Sequence, residues 1–445
     1  MAREMKDSGI EWIGEIPVHW NLVPFYRLVD QVSDSIVDGP FGSDMKNEEY
    51  VDAGVPVIQL GAIKENGMDF SKMHFISDSK ADILRRHNAF PFNLAIAKMM
   101  PAGRCCEIPD KFERYVVSAD VIRASVSNAV LRHFLNYAFN TYIKVWANAE
   151  TSGSTRARIN IEKLKKFKFA LPDQNEMEFI LNKLDRECAE IDKAVEATKA
   201  SIEEYKKLRQ AIITEAVTKG LDPNVEMKDS GIEWIGEIPE DSKIIRLKKI
   251  VAIPVTDGTH NTPEYASEEN GSPFLSSKDV TKGYIDWANI KYITRDLHEI
   301  LYKETRPQKN DILLAKNGTT GIAALNDTDK VFDIYVTLAL IRPNTSIVLP
   351  KYLQYCINSD ISKRQFNEHL IGIGVPNLHL NVIENTKVIL HNKQSQQHII
   401  EYLDTKCAEI DSLIKSKEKL IEELTAYRKS LIFEYVTGKK EVPAV

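Results

Sequence analysis

Two stretches of the chain carry apolar residues at helical spacing without interruption. Residues 174–219 contain neither Pro nor Gly, and Ile180, Leu184, Cys188, Ile191, Val195, Ile202, Tyr205 and Ile212 recur mostly three or four apart. That is the period of a helix with one narrow apolar seam. The successive four-residue steps to Leu184 and Cys188 read as a stutter in the heptad. Residues 393–437 repeat the pattern through Leu403, Cys407, Ile410, Ile414, Ile421, Leu424 and Leu431. Pro172-Asp173 supplies a start signal for the first helix, and Gly220 followed by Pro223 a stop. At 1.5 Å per residue each helix is about 67 Å long. The remaining sequence breaks into short apolar runs between turn residues. Val55–Leu60, Leu94–Ala97, Tyr115–Val117, Phe274-Leu275, Ile312–Ala315 and Tyr335–Leu338 read as strands. Asp38–Gly42 reads as a turn, and residues 131–146 and 350–369 as helices. The fold class this predicts is α+β or mixed α/β: two globules of about 150 residues and two long helices.

The chain is one unit written twice. Met5–Pro17 recurs letter for letter at Met227–Pro239, and Leu184–Asp192 matches Leu403–Asp411. Between these anchors the likeness is faint: Asp38-Gly39 aligns with Asp257-Gly258, Gly54-x-Pro56 with Gly271-x-Pro273, and Ala97-Lys98 with Ala315-Lys316. A period near 220 residues is too long for a solenoid and marks a domain duplication. A narrow seam on a long helix needs a partner, and the nearest is the other copy. An internal pseudo-two-fold axis across the pair makes the two helices antiparallel. Arg209 and Arg428 fall where the seam expects an apolar residue. They either snorkel at its edge or set the register. Cys188 and Cys407 are seam residues by phase and act as small hydrophobes.

Composition narrows the class. At 445 residues, with 43% hydrophobic and 27% charged residues, the chain is globular with two to four domains. Five cysteines imply no disulfide framework, no apolar run is long enough for a membrane span, and the first dozen residues lack a secretory h-region, so a cytoplasmic location is expected. The formal charge is −6, but from Arg85 to Lys168 fifteen basic residues face six acidic ones. A local basic stripe in an acidic chain suits phosphate contacts. Lys98 and Lys316 follow strand-like runs at equivalent places, positioned to point into a groove. The hydroxyl-rich segment 151–156 precedes a basic run. The candidate DNA contacts are Lys98, Arg104, Ser152, Thr155, Arg156 and Arg158 in the first copy, and Lys278, Lys316, Asn317 and Thr319 in the second. Within the repeated anchors, Trp12, Ile13, Trp234 and Ile235 are the candidate partner-binding residues.

Catalytic signatures are missing. There is no phosphate-binding G-x-x-x-x-G-K-[ST], no H-E-x-x-H and no G-x-S-x-G. Gly372-Ile373-Gly374 lacks the third glycine of a dinucleotide loop, and the tetrapeptide of amino-methyltransferases does not occur. No catalytic residue, metal site or cofactor is expected. A binding module leads, ahead of a divergent stand-alone DNA methyltransferase or nuclease and of a coiled-coil adaptor that binds only proteins.

The residues that repeat also carry a family resemblance. Gly9–Pro17 and Gly231–Pro239, Asp38–Ser43 and Asp257–Pro263, and Leu184-Asp185 with Ala189–Asp192 and their second-copy equivalents together resemble the specificity (S) subunit of type I restriction–modification systems. The resemblance covers essentially the whole chain. It departs at Pro172–Glu176, where the family usually shows a Glu-Gln pair after the Pro, and at Leu390-His391, where Leu-Pro is typical. It implies a target recognition domain at 1–160 (with its anchor at 5–17), a central spacer helix at 161–222, a second recognition domain at 223–381 (anchor 227–239) and a C-terminal spacer helix at 382–445. It further implies double-stranded DNA as ligand, each domain reading half of a bipartite site, with two methyltransferase (M) subunits and restriction (R) subunits as partners. S-adenosylmethionine, ATP and Mg²⁺ would belong to those partners. Two readers entering major grooves on one DNA face would sit about one turn, roughly 34 Å, apart. Because the two globules differ in sequence, the half-sites should differ, while the matching anchors offer equivalent docking surfaces to two copies of one partner.

Overall fold

The computed structural model describes residues 3–40, 44–99, 101–150, 158–370 and 377–441. The chain divides into two units: Met1–Thr198 with Lys419–Val445, and Lys199–Glu418. The division falls inside both long helices, whereas the sequence segments meet at 160, 222 and 381. The reason is that each half-helix buries its seam in the core of one globule.

The first long helix is Gln174–Lys219 and the second Lys393–Val436. Residues 161–173 lie outside the first: they hold the short helix Ile161–Lys166 and the strand Lys168–Leu171, which pairs with Asn21–Pro24. Asp173 Oδ1 accepts the Glu176 amide at 2.9 Å, so the start is set by an acidic cap directly after Pro172. In unit 1, Met177, Ile180, Leu184 and Cys188 share a core with Leu431, Ile432, Tyr435 and Val436, and Asp192 pairs with Arg428 at 3.0 Å. In unit 2, Ile213, Ala216 and Val217 share a core with Ile399, Leu403 and Cys407, and Arg209 pairs with Asp411 at 3.0 Å. Within each unit the start of one helix therefore lies against the end of the other, and the pairing is antiparallel. Arg209 and Arg428 each cross to an aspartate of the facing helix.

The two globules share one plan. Unit 1 has a sheet in the order Asn88–Ala89, Tyr115–Val117, Val55–Ile58, His74–Ile76, Tyr50–Val51, and a second in the order Cys105–Glu107, Leu94–Ala97, Val121–Ala124, Ile36–Asp38. Unit 2 repeats them, without a counterpart of the edge strand Asn88–Ala89 among the described ladders, as Asp333–Ile334, Gly271–Leu275, Lys291–Thr294, Tyr265–Ala266, and as Ala323–Leu325, Ile312–Ala315, Leu338–Ile341, Thr256–Asp257. In each unit only the junction of Val55–Ile58 with Tyr115–Val117, or of Gly271–Leu275 with Asp333–Ile334, is parallel among the described ladders of these sheets. The strand expected at Tyr335–Leu338 is instead the crossing from one sheet to the other. Tyr335 donates to Leu275 O, Val336 to Thr259 O, and Leu338 turns back onto Tyr335 O before the strand Leu338–Ile341. The helix expected at 131–146 is Ala129–Ala138, a π-helical stretch Phe139–Ile143, and Lys144–Glu150. The one expected at 350–369 is two helices, Pro350–Asn358 and Asp360–His369, broken at Ser359.

The identical anchors fold identically. Met5–Asp7 pairs with Glu15–Pro17, and Met227–Asp229 with Glu237–Pro239. In both, the turn is closed by the aspartate accepting a glycine amide, Asp7 from Gly9 at 2.9 Å and Asp229 from Gly231 at 3.0 Å. Gly9, Gly14, Gly231 and Gly236 all have φ between +65° and +72°, the left-handed region that glycine enters without strain.

Candidate nucleic-acid interface

The strand Leu94–Ala97 delivers Lys98 to the end of its sheet, and the strand Ile312–Ala315 delivers Lys316 to the equivalent end. Neither lysine reaches solvent as expected from sequence. Lys98 is 7% exposed and Lys316 6%. Lys98 Nζ donates to Asp38 Oδ2 at 2.6 Å, and Lys316 Nζ to Asp257 Oδ2 at 2.5 Å. The adjacent glycines explain the Asp-Gly repeat. A Cβ on Gly39 would stand 2.2 Å from the Ser118 carbonyl, and one on Gly258 1.8 Å from Ile334 O, so only glycine lets the two backbones close. The carboxylates Asp38 and Asp257, matched between the two copies from sequence but not assigned to these lysines, are the partners that hold them. Their signal was the retention of both Asp-Gly and Ala-Lys in both copies while the residues around them diverged.

The other expected contacts scatter. Arg104 Nη2 donates to Leu60 O at 2.7 Å inside unit 1. Arg158 is exposed and pairs with Asp120 at 2.5 Å. Lys278 and Thr319 are exposed, and Asn317 forms an antiparallel bridge with Asn377. Ser152, Thr155 and Arg156 lie outside the described residues. Of the candidate set, Lys98 and Arg158 come together in unit 1, and Lys316 and Asn317 in unit 2. Among the anchor residues, Ile13 and Ile235 are buried in their own units, so they seat the hairpins and present no side chain to a partner. Trp12 and Trp234 stay half-buried at the edge of those clusters, with Arg364 Cζ 5.2 Å from the Trp234 ring.

Each globule is fastened to its long helix by the same bond. Tyr137 donates to Asp185 at 2.8 Å in unit 1, and Tyr355 to Asp404 at 2.5 Å in unit 2. Beside the first bond, His133 bridges Asp185 and Glu107 at 2.8 and 2.9 Å. Lys351 takes the matching place in unit 2, 3.7 Å from Asp404. Hydrogen bonds to Asp185 and Glu107 outweigh burial and raise the imidazole to about 9. Folded His133 is therefore charged where an unfolded histidine is neutral. Its stabilising effect is full below about pH 6.5 and is lost as pH rises through about 9. Melting the wild type and His133→Gln across pH 6 to 9.5 should show a difference that narrows with rising pH. The effect stays under about 1 kcal/mol because the ring is partly solvated. A gap independent of pH would mean the ring is neutral in the fold.

The frames match, but their linings differ. In unit 2, Asp257, Gly258 and His260 line a cleft of about 340 Å³ that also includes Asp333, a buried carboxylate held by His298 Nδ1 at 2.6 Å. Burial pushes that carboxyl up. The equivalent sheet position in unit 1 is Val116, inside an apolar cluster. All five cysteines are free and buried, and burial pushes the thiols of Cys188 and Cys407 up, so both behave as hydrophobes. Among the described residues, no group of three or more His, Cys, Asp or Glu side chains is arranged to hold a metal ion, and no helix is long and apolar enough to cross a membrane.

Two copies of one two-sheet frame, each closed onto half of an antiparallel helix pair, define a duplicated binding module. A family model, "Type I restriction modification DNA specificity domain", matches residues 43–204 and again 239–426. The chain belongs to that family. It is 24% identical over 332 residues to the type I restriction enzyme MjaVIII specificity subunit of Methanocaldococcus jannaschii, covering 74% of this chain and 75% of the relative. It is 24% identical over 322 residues to the EcoBI specificity subunit of Escherichia coli, covering 69% of this chain and 65% of that one. A chain from a solved type I R-M system aligns over 96% of this chain and 99% of its own length, with a TM-score of 0.66 at 12% identity, a likeness of fold.

Proposed function

We propose that this chain selects the DNA sequence on which a type I restriction–modification assembly acts, one recognition domain to each half of a bipartite, asymmetric site. The observation that carries the reading is the specificity domain matched twice, on two units with the same frame and different linings. A shared frame suits one mode of docking on DNA, and divergent linings suit two different base sequences. The chain itself is non-catalytic. Methyl transfer belongs to two M subunits and cleavage to R subunits, and the assembly works in the cytoplasm. The half-buried Trp12 and Trp234 on their identical hairpins suit contact with two copies of one partner. The candidate ruler is the helix pair, continuous over 46 and 44 residues.

The test is a domain exchange. Residues 18–155 are replaced by the matching segment of another family member, and the methylated sites are sequenced in a host that also makes the M subunit. One half of the recognised site should change and the other stay the same. Change in both halves would contradict modular reading, and methylation by this chain without the M subunit would make it an enzyme.

A further inference from the structure

We propose that Lys98 and Lys316 do not touch DNA but are positioning residues, one in each recognition domain, that fix the backbone at Ile159 and at Leu378. This rests on the DNA-reading function above and adds to it which residues set the reader's shape.

Each lysine gathers four stretches of its unit. Lys98 donates from Nζ to Asp38 and from its amide to Asp120 O at 2.8 Å, and its carbonyl accepts the Ile159 amide at 2.8 Å. Lys316 donates from Nζ to Asp257 and from its amide to Thr337 O at 2.9 Å, and its carbonyl accepts the Leu378 amide at 2.7 Å. Ile159 closely follows the hydroxyl-rich segment 151–156, and Leu378 holds the same place in the second copy. Arg158 and the Asn317–Asn377 bridge lie at the same re-entry points.

Three arguments favour positioning over contact. Both lysines are more than nine-tenths buried, and each charge is already met by a carboxylate within 2.6 Å. To reach a phosphate the ammonium would have to leave that carboxylate unpaired. A buried ion pair adds little net stability over an apolar pair of the same size, so its presence in both diverged copies points to geometry. A directional bond at the strand end fixes where the following chain re-enters, which an apolar contact does not.

Binding is measured for the full chain in complex with its M subunit, on a duplex bearing its methylated site and on an unrelated duplex, over a range of salt. The variants are Lys98→Met with Asp38→Leu, Lys316→Met with Asp257→Leu, and the single Lys98→Arg, each checked by thermal melting. Both double variants should lose tenfold or more of the preference for the specific duplex while the slope of log affinity against log salt stays as in wild type. Each should relax only its own half-site. Lys98→Arg keeps the charge but not the point geometry, and should lose preference in the first half-site as well. A slope reduced by about one unit would mark a lost phosphate contact and overturn the proposal, as would unchanged preference in variants that melt like wild type. If a double variant melts far below wild type, Lys98→Arg decides on its own: preference retained overturns the proposal, preference lost at an unchanged slope supports it. A wild-type complex with no preference between the duplexes would instead sink the DNA-reading function.

Discussion

Asp257→Ala should cost about 3–5 kcal/mol of stability, the usual result of removing one member of a buried ion pair. Asp257 and Lys316 keep only 13% and 8% of their side-chain surface exposed, so the ammonium left behind is poorly hydrated and has lost its carboxylate. The loss comes from the stranded charge rather than from the lost attraction. Adding Lys316→Met should therefore recover most of it, since the methionine fills the same space without a charge. Asp38→Ala should cost less, because Asp38 is 34% exposed and water partly replaces the carboxylate. Thermal and urea melting of the three variants against wild type decides the matter. A double variant no more stable than Asp257→Ala would show that the charge is not the cause.

Gly258→Ala should cost about 3 kcal/mol or more, at the upper end for an added methyl group. The new Cβ would lie 1.8 Å from Ile334 O and 2.7 Å from the Tyr335 carbonyl carbon. Both are backbone atoms, and neither has room to retreat. Ile334 is paired with Leu275 in the parallel ladder, the Tyr335 amide donates to Leu275 O at 2.8 Å, and Val336 donates to Thr259 O at 3.0 Å. Relief must come from parting the two segments, which also draws Asp257 away from Lys316. For a unit of this size the melting temperature should fall by roughly 6–12 °C. Gly39→Ala should act in the same direction in unit 1, where the obstacle is the Ser118 carbonyl at 2.2 Å. A melting temperature within about 2 °C of wild type would show that the segments separate freely and that the glycine is not required by space.

Much of the fold was legible before any coordinate. The first long helix could be bounded because Pro172 and Gly220 punctuate a run of apolar residues mostly three or four apart, and local signals of that kind survive in any tertiary context. The strands Leu94–Ala97, Tyr115–Val117 and Ile312–Ala315 were legible as short apolar runs between turn residues, and the duplication was legible as repeated letters. The candidate site was much less so. A lysine after a strand looks the same whether it faces a phosphate or a carboxylate, and Asp38 lies sixty residues before Lys98. Tyr137 and Asp185, Arg428 and Asp192, and Ile13 and its core neighbours are equally remote in sequence.

The sequence by itself determined that one unit is written twice, where its helices run, and that their seams need partners, because these are statements about period and repetition along the chain. Only the tertiary structure decided which charges are satisfied internally and which face outward. Burial depends on what distant segments bring to the same place, and the cost of a buried charge is settled by partners that no local pattern names.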